Sequence, residues 1–216
     1  PAWMPMAIPL WTWALAATGA LLLLMPAGVP MRWLGWPMLL LLALPPRPML
    51  AEGIAEVWLL DVGQGLAILV RTRHHSLLYD AGPRFGDMDM GARVVLPALH
   101  KLGVQQLDML LISHAHADHS GGAKTVVEGI PVRSIVGGEP FPLPQGLHAD
   151  ACESGRQWNW GGVSFRLWHW ASAQDSNSRS CVLQIEAGGE RLLLTLRNGD
   201  GLTLDNAKAA ITALRG

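Results

Sequence analysis

Charge is almost absent from the start of the sequence, where Arg32 and Arg47 are the only charged side chains in the first 51 residues. So long an uncharged stretch is typical of membrane segments and unusual for the surface of a soluble domain. Cysteine is also scarce. Cys152 and Cys181 are the only two, too few and too far apart for a zinc–thiolate site. They are compatible with one disulfide or with two reduced thiols, and the sequence does not decide between them.

The apolar stretch predicts a membrane region over residues 1–51. Residues 6–25 are uncharged and about as long as a bilayer-spanning helix. Residues 33–44 form a second, shorter run that suits a short or re-entrant helix, or a helix extended from Pro30, and the prolines after it predict a stiff linker. A cleaved signal peptide is disfavoured, because the stretch has no basic start and no small-residue cleavage site. Since the chain begins with Pro1, we expect it to be a piece of a longer protein.

Residues 52–216 have the composition of a soluble domain, with 14 basic and 17 acidic residues. They contain no dense basic stripe of the kind that binds a polyanion. The densest basic patch, residues 71–75, is expected at a solvated hairpin tip between two apolar strands. Further apolar strands come in runs that are interrupted by helices, and the last residues, 204–216, predict a closing helix. The pattern indicates an α/β or α+β layered domain.

The densest group of potential metal ligands lies in "SHAHADHSGG", directly after the apolar strand "LDMLLI". His114, His116 and Asp118 are spaced by two, so in an extended loop their side chains point the same way. His119 follows where the chain turns towards a helix. Imidazole and carboxylate ligands suit one or two divalent ions, zinc or manganese, with positions left open for water. A solvated polar loop is the alternative.

This chemistry favours hydrolysis. A metal ion held by neutral imidazoles lowers the pKa of a bound water towards ~7, and a pair of ions stabilises both oxygens of a phosphoryl transfer. Asp118 and His116 are the candidate catalytic residues, with Asp118 expected to bind an ion or to steer the attacking water.

The metal motif followed by two glycines resembles the signature of the metallo-β-lactamase fold, an αββα sandwich. Together with "LLDVGQGLAILVRT", "LLYDAGPR" and "NSRSCVLQIEAGGERLLLT" it resembles the ComEC family of DNA-internalisation competence proteins over about residues 32–195. The resemblance implies a multi-pass protein of the bacterial inner membrane with its soluble domain on the outer, periplasmic face. It implies DNA and other DNA-uptake components as partners, and a nuclease acting on the strand left outside.

The resemblance also assigns individual residues. His114, His116, Asp118 and His119 match the metal motif, Asp80 matches an aspartate that supports the metal loop, and Asp61 and Gln64 match a first loop near the site. For Asp61 and Asp80, a strand-end capping role is the alternative.

The pattern departs from the family after about residue 195. Asp200 in "NGD" is the candidate for the family's next aspartate ligand, displaced by an insertion, and no histidine follows His169. We therefore expect an incomplete second half of the sandwich. Three functions follow from these features. The first is a metal-dependent phosphodiesterase or nuclease domain. The second is another hydrolase of the same fold acting on a thioester, lactone or β-lactam. The third is an inactive, membrane-tethered remnant.

Overall fold

The computed structural model describes residues 10–26, 28–43, 49–170, 172 and 175–195. The chain divides into two compact units, with the boundary between Met49 and Leu50. This boundary lies close to the change in composition at about residue 52.

The described part of the first unit has two apolar helices, α1 (Leu10–Leu24) and α2 (Gly35–Ala43), with a short 3-10 turn (Arg32–Leu34) before α2. The helices meet at Gly19 and Gly35, where a Cβ atom on Gly19 would come within 2.8 Å of the Gly35 carbonyl oxygen. Small residues at such a crossing let two helix backbones approach closely. Helix α1 covers the larger part of the predicted span at residues 6–25, and residues 6–9 lie outside the described part. No helix among the described residues combines the length and the apolar character needed to cross a membrane.

In the described residues of the second unit there are twelve strands, in a six-stranded sheet, a four-stranded sheet and a small hairpin. In chain order they are β1 Glu56–Leu59, β2 Ile68–Arg71, β3 Ser76–Tyr79, β4 Arg84–Phe85, β5 Met88–Asp89, β6 Met109–Ile112, β7 Ile135–Gly137, β8 Asp150–Ala151, β9 Gln157–Trp160, β10 Val163–Trp168, β11 Val182–Ala187 and β12 Glu190–Leu194. The six-stranded sheet has the order β1-β2-β3-β6-β7-β8, and the four-stranded sheet has the order β12-β11-β10-β9. Strands β3, β6, β7 and β8 run parallel to one another, so their carboxyl ends share one edge of the sheet.

Among residues 50–195 as the structure describes them, three helices accompany the six-stranded sheet: α3 (Leu96–Lys101), preceded by a π-helical turn (Gly91–Val95), α4 (Ala117–Ser120) and α5 (Ala123–Gly129). Leu99 and Val126 pack with Leu78 and Leu110 of the sheet in one apolar core. The alternate residues of the same strands face a second core, which is shared with the four-stranded sheet. The described residues therefore form helix, sheet and sheet layers, and the closing helix predicted at residues 204–216 lies outside them.

Two features of this unit extend what the sequence predicted. Cys152 and Cys181 form a disulfide, which settles the choice that the sequence left open. The hairpin tip at residues 71–75 is present, but the prediction that it is simply solvated is wrong for Thr72, which is buried, and for His75. His75 is half-buried because its ring stacks on Trp160 of β9, with ring centroids 4.9 Å apart.

Candidate metal centre

The segment that carries the histidines, residues 113–122, is called the metal loop. It begins where β6 ends, at the carboxyl edge of the six-stranded sheet. Strand β6 is apolar and buried throughout, which fixes the start of the loop. His116 has extended backbone and precedes the one-turn helix α4, which begins at Ala117. The turn into the helix therefore comes earlier than predicted, and Asp118 lies in the helix and not in the extended stretch with His114 and His116. The ring of His114 lies with its centroid 4.5 Å from that of His116 and 4.4 Å from that of His119. The three imidazoles therefore converge.

Three of the predicted metal ligands have potential ligand atoms that lie close together. One potential ligand atom from each of His114, Asp118 and His119 lies within 4.8 Å of the others. Both histidines are buried, whereas the Asp118 side chain is 43% exposed. His116 is exposed and lies outside this three-residue set, beside His114. Asp200 lies outside the described residues, so its role stays a prediction.

Asp80 holds two parts of the metal loop together through hydrogen bonds to Ser113 and His119. It follows β3, is fully buried, and has the left-handed backbone (φ 59°) that aspartate adopts more readily than most residues. Its carboxylate accepts hydrogen bonds from the Ser113 backbone N–H at 2.7 Å and the Ser113 hydroxyl at 2.8 Å. The same carboxylate lies 2.7 Å from Nδ1 of His119. Three donors thus converge on one buried carboxylate.

The hydrogen-bond directions assign the histidine tautomers. A carboxylate only accepts, so the Ser113 hydroxyl and His119 Nδ1–H both donate to Asp80. Because the Ser113 hydroxyl donates its proton to Asp80, its Oγ accepts a hydrogen bond from Nδ1–H of His114, which is 3.0 Å away. Nε2 of His114 and Nε2 of His119 are therefore left with lone pairs to offer a cation. Such partners behind the ligands fix the tautomer and ring orientation at protein metal sites.

The electrostatics of the two buried histidines differ. Burial, followed by the neighbouring charge of His119, lowers the pKa of His114 to about 4. Burial also disfavours the charged form of His119, but its hydrogen bond to Asp80 and the charges of Asp80 and Asp118 outweigh burial and raise its pKa. His114 is thus a neutral imidazole at neutral pH, and His119 lies in a field that attracts positive charge.

The "DVGQG" loop touches the metal loop through its backbone. Leu66 N–H donates to the Asp118 carbonyl oxygen at 3.3 Å. Gly65 has φ +131°, and a Cβ atom there would overlap the same carbonyl oxygen. The Asp61 carboxylate accepts from Gly63 N–H at 3.4 Å, as in a turn, and Gln64 is exposed. The parts expected of Asp61 and Gln64 near the site stay predictions.

Two supporting residues were not identified from the sequence. Ser113 stands directly before the motif and could have been noticed for that position. Its carbonyl oxygen also accepts Cys181 N–H at 2.8 Å, which joins the metal loop to the second sheet beside the disulfide. Glu139 had no sequence signal.

Glu139 joins two segments at the edge of the site. Its carboxylate accepts from Ala115 N–H at 3.4 Å and from the Ser176 hydroxyl, and it pairs with Arg179 at 3.0 Å. Partial burial opposes ionisation, but these hydrogen bonds and the Arg179 charge hold the pKa of Glu139 below its ordinary value. Glu139 therefore fastens the loop between His114 and His116 to residues 175–180.

The donor set fits a divalent ion. Two imidazole nitrogens with oriented lone pairs and one carboxylate are the ligand types found at catalytic zinc sites. The partly exposed Asp118 and exposed His116 leave the open side accessible to water and substrate. The fold and this His/Asp/His cluster together suggest divalent metal binding.

Comparison with known proteins places these features in a family. The model of the metallo-beta-lactamase superfamily matches residues 60–195, more than half of the chain. A solved metallo-β-lactamase with a HARLDQ motif from Cronobacter sakazakii superposes with a TM-score of 0.50 at 19% identity, covering 74% of this chain and 64% of that one. This likeness shows the fold alone, and with the family match it confirms the predicted fold class.

Two relatives show which members of the superfamily this chain resembles. Competence protein ComA of Neisseria gonorrhoeae is 37% identical over 193 residues, which are 88% of this chain and 26% of that protein. Recombination protein 2 of Haemophilus influenzae is 34% identical over 143 residues, 65% of this chain and 18% of that protein. The chain thus spans about a quarter or less of the length of these relatives. It belongs to the metallo-β-lactamase superfamily and is a ComEC-like member of it.

Proposed function

We propose that residues 52–216 form a divalent-metal-dependent phosphodiesterase, acting as a nuclease within a membrane protein of DNA uptake. The observation that carries the proposal is the oriented pair of buried histidines beside Asp118, in a chain 37% identical to a competence protein. A bound divalent ion would supply Lewis acidity towards a phosphodiester and would lower the pKa of water. Zinc and manganese are the proposed metals, one or two ions per site.

The buried and the exposed residues of the site are proposed to have different roles. Asp80 accepts the Nδ1 proton of His119, and Ser113 accepts that of His114, so both imidazoles keep one orientation. The partly exposed carboxylate of Asp118 is 3.3 Å from His119 Nε2 and is open to solvent. It is therefore suited to hold an ion or to orient the attacking water. His116 at the exposed rim is suited to contact the substrate.

Further ligands and partners belong to the same proposal. Asp200, outside the described residues, is proposed as an additional carboxylate ligand, and Asp61 and Gln64 are proposed to support the site from the neighbouring loop. A DNA strand is the proposed substrate, with other DNA-uptake components as partners of the longer protein.

We place the protein in the bacterial inner membrane, with this domain on the outer, periplasmic face. The disulfide between Cys152 and Cys181 supports the outer face, because disulfides persist in oxidising compartments such as the periplasm and are rare in the cytosol. The apolar helices α1 and α2 support a membrane location through their composition.

The test is a substrate panel with the full 216-residue chain. A single-stranded oligodeoxynucleotide, nitrocefin and a thioester are each incubated with manganese or zinc. We expect cleavage of the oligonucleotide alone, reduced at least about tenfold by His116→Ala, because a hydrogen bond to a charged group is worth about 1.5–3 kcal/mol. His148→Ala, which removes another exposed histidine, serves as the control. Hydrolysis of nitrocefin or the thioester without nuclease activity would favour another hydrolase, and absence of all activity would favour the inactive remnant.

A further inference from the structure

A cleft lies at the end of the six-stranded sheet opposite the histidine cluster. It has a volume of about 550 Å³ and is lined by the hairpin tip at residues 71–75 and by the segments that enter β6 and β7. The metal loop and Asp80 follow the carboxyl ends of β3 and β6, whereas the cleft adjoins their amino ends. Each of these strands has four residues, so the two places are separated by roughly 13 Å of sheet. The cleft is therefore distinct from the candidate metal centre.

Two buried polar atoms of cleft-lining residues have no hydrogen-bond partner in the described part of the chain. They are the hydroxyl of Thr72, a residue only 5% exposed, and Nδ1 of His75. The turn does not need either group, because Thr72 N–H already donates to the His75 carbonyl oxygen at 2.9 Å. Buried polar groups are nearly always paired, and an unpaired one calls for an explanation, of which a bound water or ion is one. Both groups can act as donors to an anion.

The charge of the cleft also favours an anion. Arg71 and Arg73 line it, and each is paired with a glutamate through a single nitrogen at 3.4 Å. A guanidinium has five N–H donors, so most remain available, and exposed ion pairs of this kind contribute little stability that binding would have to replace.

The one carboxylate in the lining, Asp108, is already engaged. It accepts Ser76 N–H at 3.0 Å and pairs with Arg133 at 3.6 Å. Its charge is therefore compensated locally, as the charges of Arg71 and Arg73 are by glutamates outside the lining. The lining itself carries two arginines against one carboxylate.

We propose that this cleft is an anion site that binds a phosphate group, carried on a nucleic-acid strand, on a nucleotide or free. Arg71 and Arg73 would form charge-assisted hydrogen bonds to phosphate oxygens, a task suited to the planar guanidinium. The Thr72 hydroxyl and His75 Nδ1–H would complete the set of donors. Phosphate binding here requires only the residues of the cleft, so it does not depend on whether the metal loop cleaves DNA.

The test is isothermal titration calorimetry on the full chain, with and without EDTA, using inorganic phosphate, thymidine monophosphate and a short oligothymidylate. Thr72→Val removes one unpaired hydroxyl at nearly constant volume, so thermal stability should be kept. Affinity should fall about tenfold, because a hydrogen bond to a charged group is worth roughly that factor in Kd. Arg73→Ala should weaken binding by a similar factor or more. The control is Arg191→Ala, which removes an arginine from a comparable exposed ion pair on the other sheet.

The outcomes separate the sources of the phosphate. Tighter binding of the oligothymidylate, weakened by both cleft variants and by salt, supports a strand as the ligand. Equal binding of inorganic phosphate and oligothymidylate with the same variant pattern supports free phosphate or a nucleotide. Absence of binding, or binding that Thr72→Val and Arg73→Ala leave unchanged, overturns the proposal. Because binding is measured in EDTA as well, failure of the nuclease proposal does not affect the result.

Discussion

Replacing Asp80 with asparagine tests how the buried carboxylate holds the metal loop. The position has left-handed backbone, φ 59°, which asparagine tolerates as well as aspartate does. The substitution therefore leaves the turn unstrained and changes only the hydrogen-bonding capacity. An amide has one acceptor oxygen where the carboxylate has two, and its nitrogen is a donor.

The size of the effect follows from the three donors that converge on Asp80. The Ser113 hydroxyl and His119 Nδ1 share one carboxylate oxygen, and the Ser113 N–H uses the other. An asparagine leaves at least one of these buried donors facing an NH2 group. Losing such a partner costs metal sites about 10–100-fold in affinity, and an unpaired buried donor costs about 1–3 kcal/mol of folding stability.

The assay is zinc and manganese affinity, measured by competition with a chelating dye, beside thermal unfolding in EDTA. Asp108→Asn is the matched control, since Asp108 is also a buried carboxylate that accepts a backbone N–H, at the opposite end of the same sheet. Both variants should lose stability, but only Asp80→Asn should lose metal affinity. A folded Asp80→Asn variant with unchanged affinity would refute the role assigned to Asp80.

Three further predictions concern the surroundings of the site. The lowered pKa of Glu139 means that its carboxylate stabilises the fold above its unfolded pKa of about 4.5, and that this contribution disappears as pH falls through the lower folded value. Chemical denaturation should therefore show a deficit in Glu139→Gln that is largest at neutral pH and vanishes in acid; a constant deficit would contradict this. Replacing Cys152 and Cys181 by alanine opens a cross-link over 29 residues and should lower the free energy of unfolding by ~3–4 kcal/mol, an effect that reductant reproduces in the wild type. An unchanged free energy of unfolding in urea titrations of the double variant would contradict this role of the disulfide. Gly65→Ala should destabilise more than Gly63→Ala, because both have positive φ but only Gly65 has backbone in the way of a Cβ, and equal losses would be unexpected.

Local pattern was enough to predict much of the second unit. The hairpin of β2 and β3 and the buried strand β6 follow from apolar runs bounded by turn residues. The convergence of His114 and His119 follows from short spacing at the end of a strand, because nearby residues in one loop share their surroundings whatever the rest of the chain does. The supporting place of Asp80 came from the family resemblance.

What the sequence did not reveal depends on contacts between distant segments. The disulfide requires the two cysteines to be brought together by two different sheets, which spacing cannot predict. Glu139 acts on the metal loop across 24 residues, and no local period marks it. His75 was expected in solvent because a basic hairpin tip is usually exposed, but the packing of β9 supplied a tryptophan for it to stack on.

His114, Asp118 and His119 are proposed to hold a divalent metal ion, and anomalous diffraction at the zinc edge, from crystals of the chain grown with zinc, can locate that ion. We expect an anomalous peak about 2.0–2.1 Å from Nε2 of both histidines and at a similar distance from the Asp118 carboxylate. A peak at other residues, or bonds to Nδ1 in place of Nε2, would show that these three residues do not bind the metal in the proposed way.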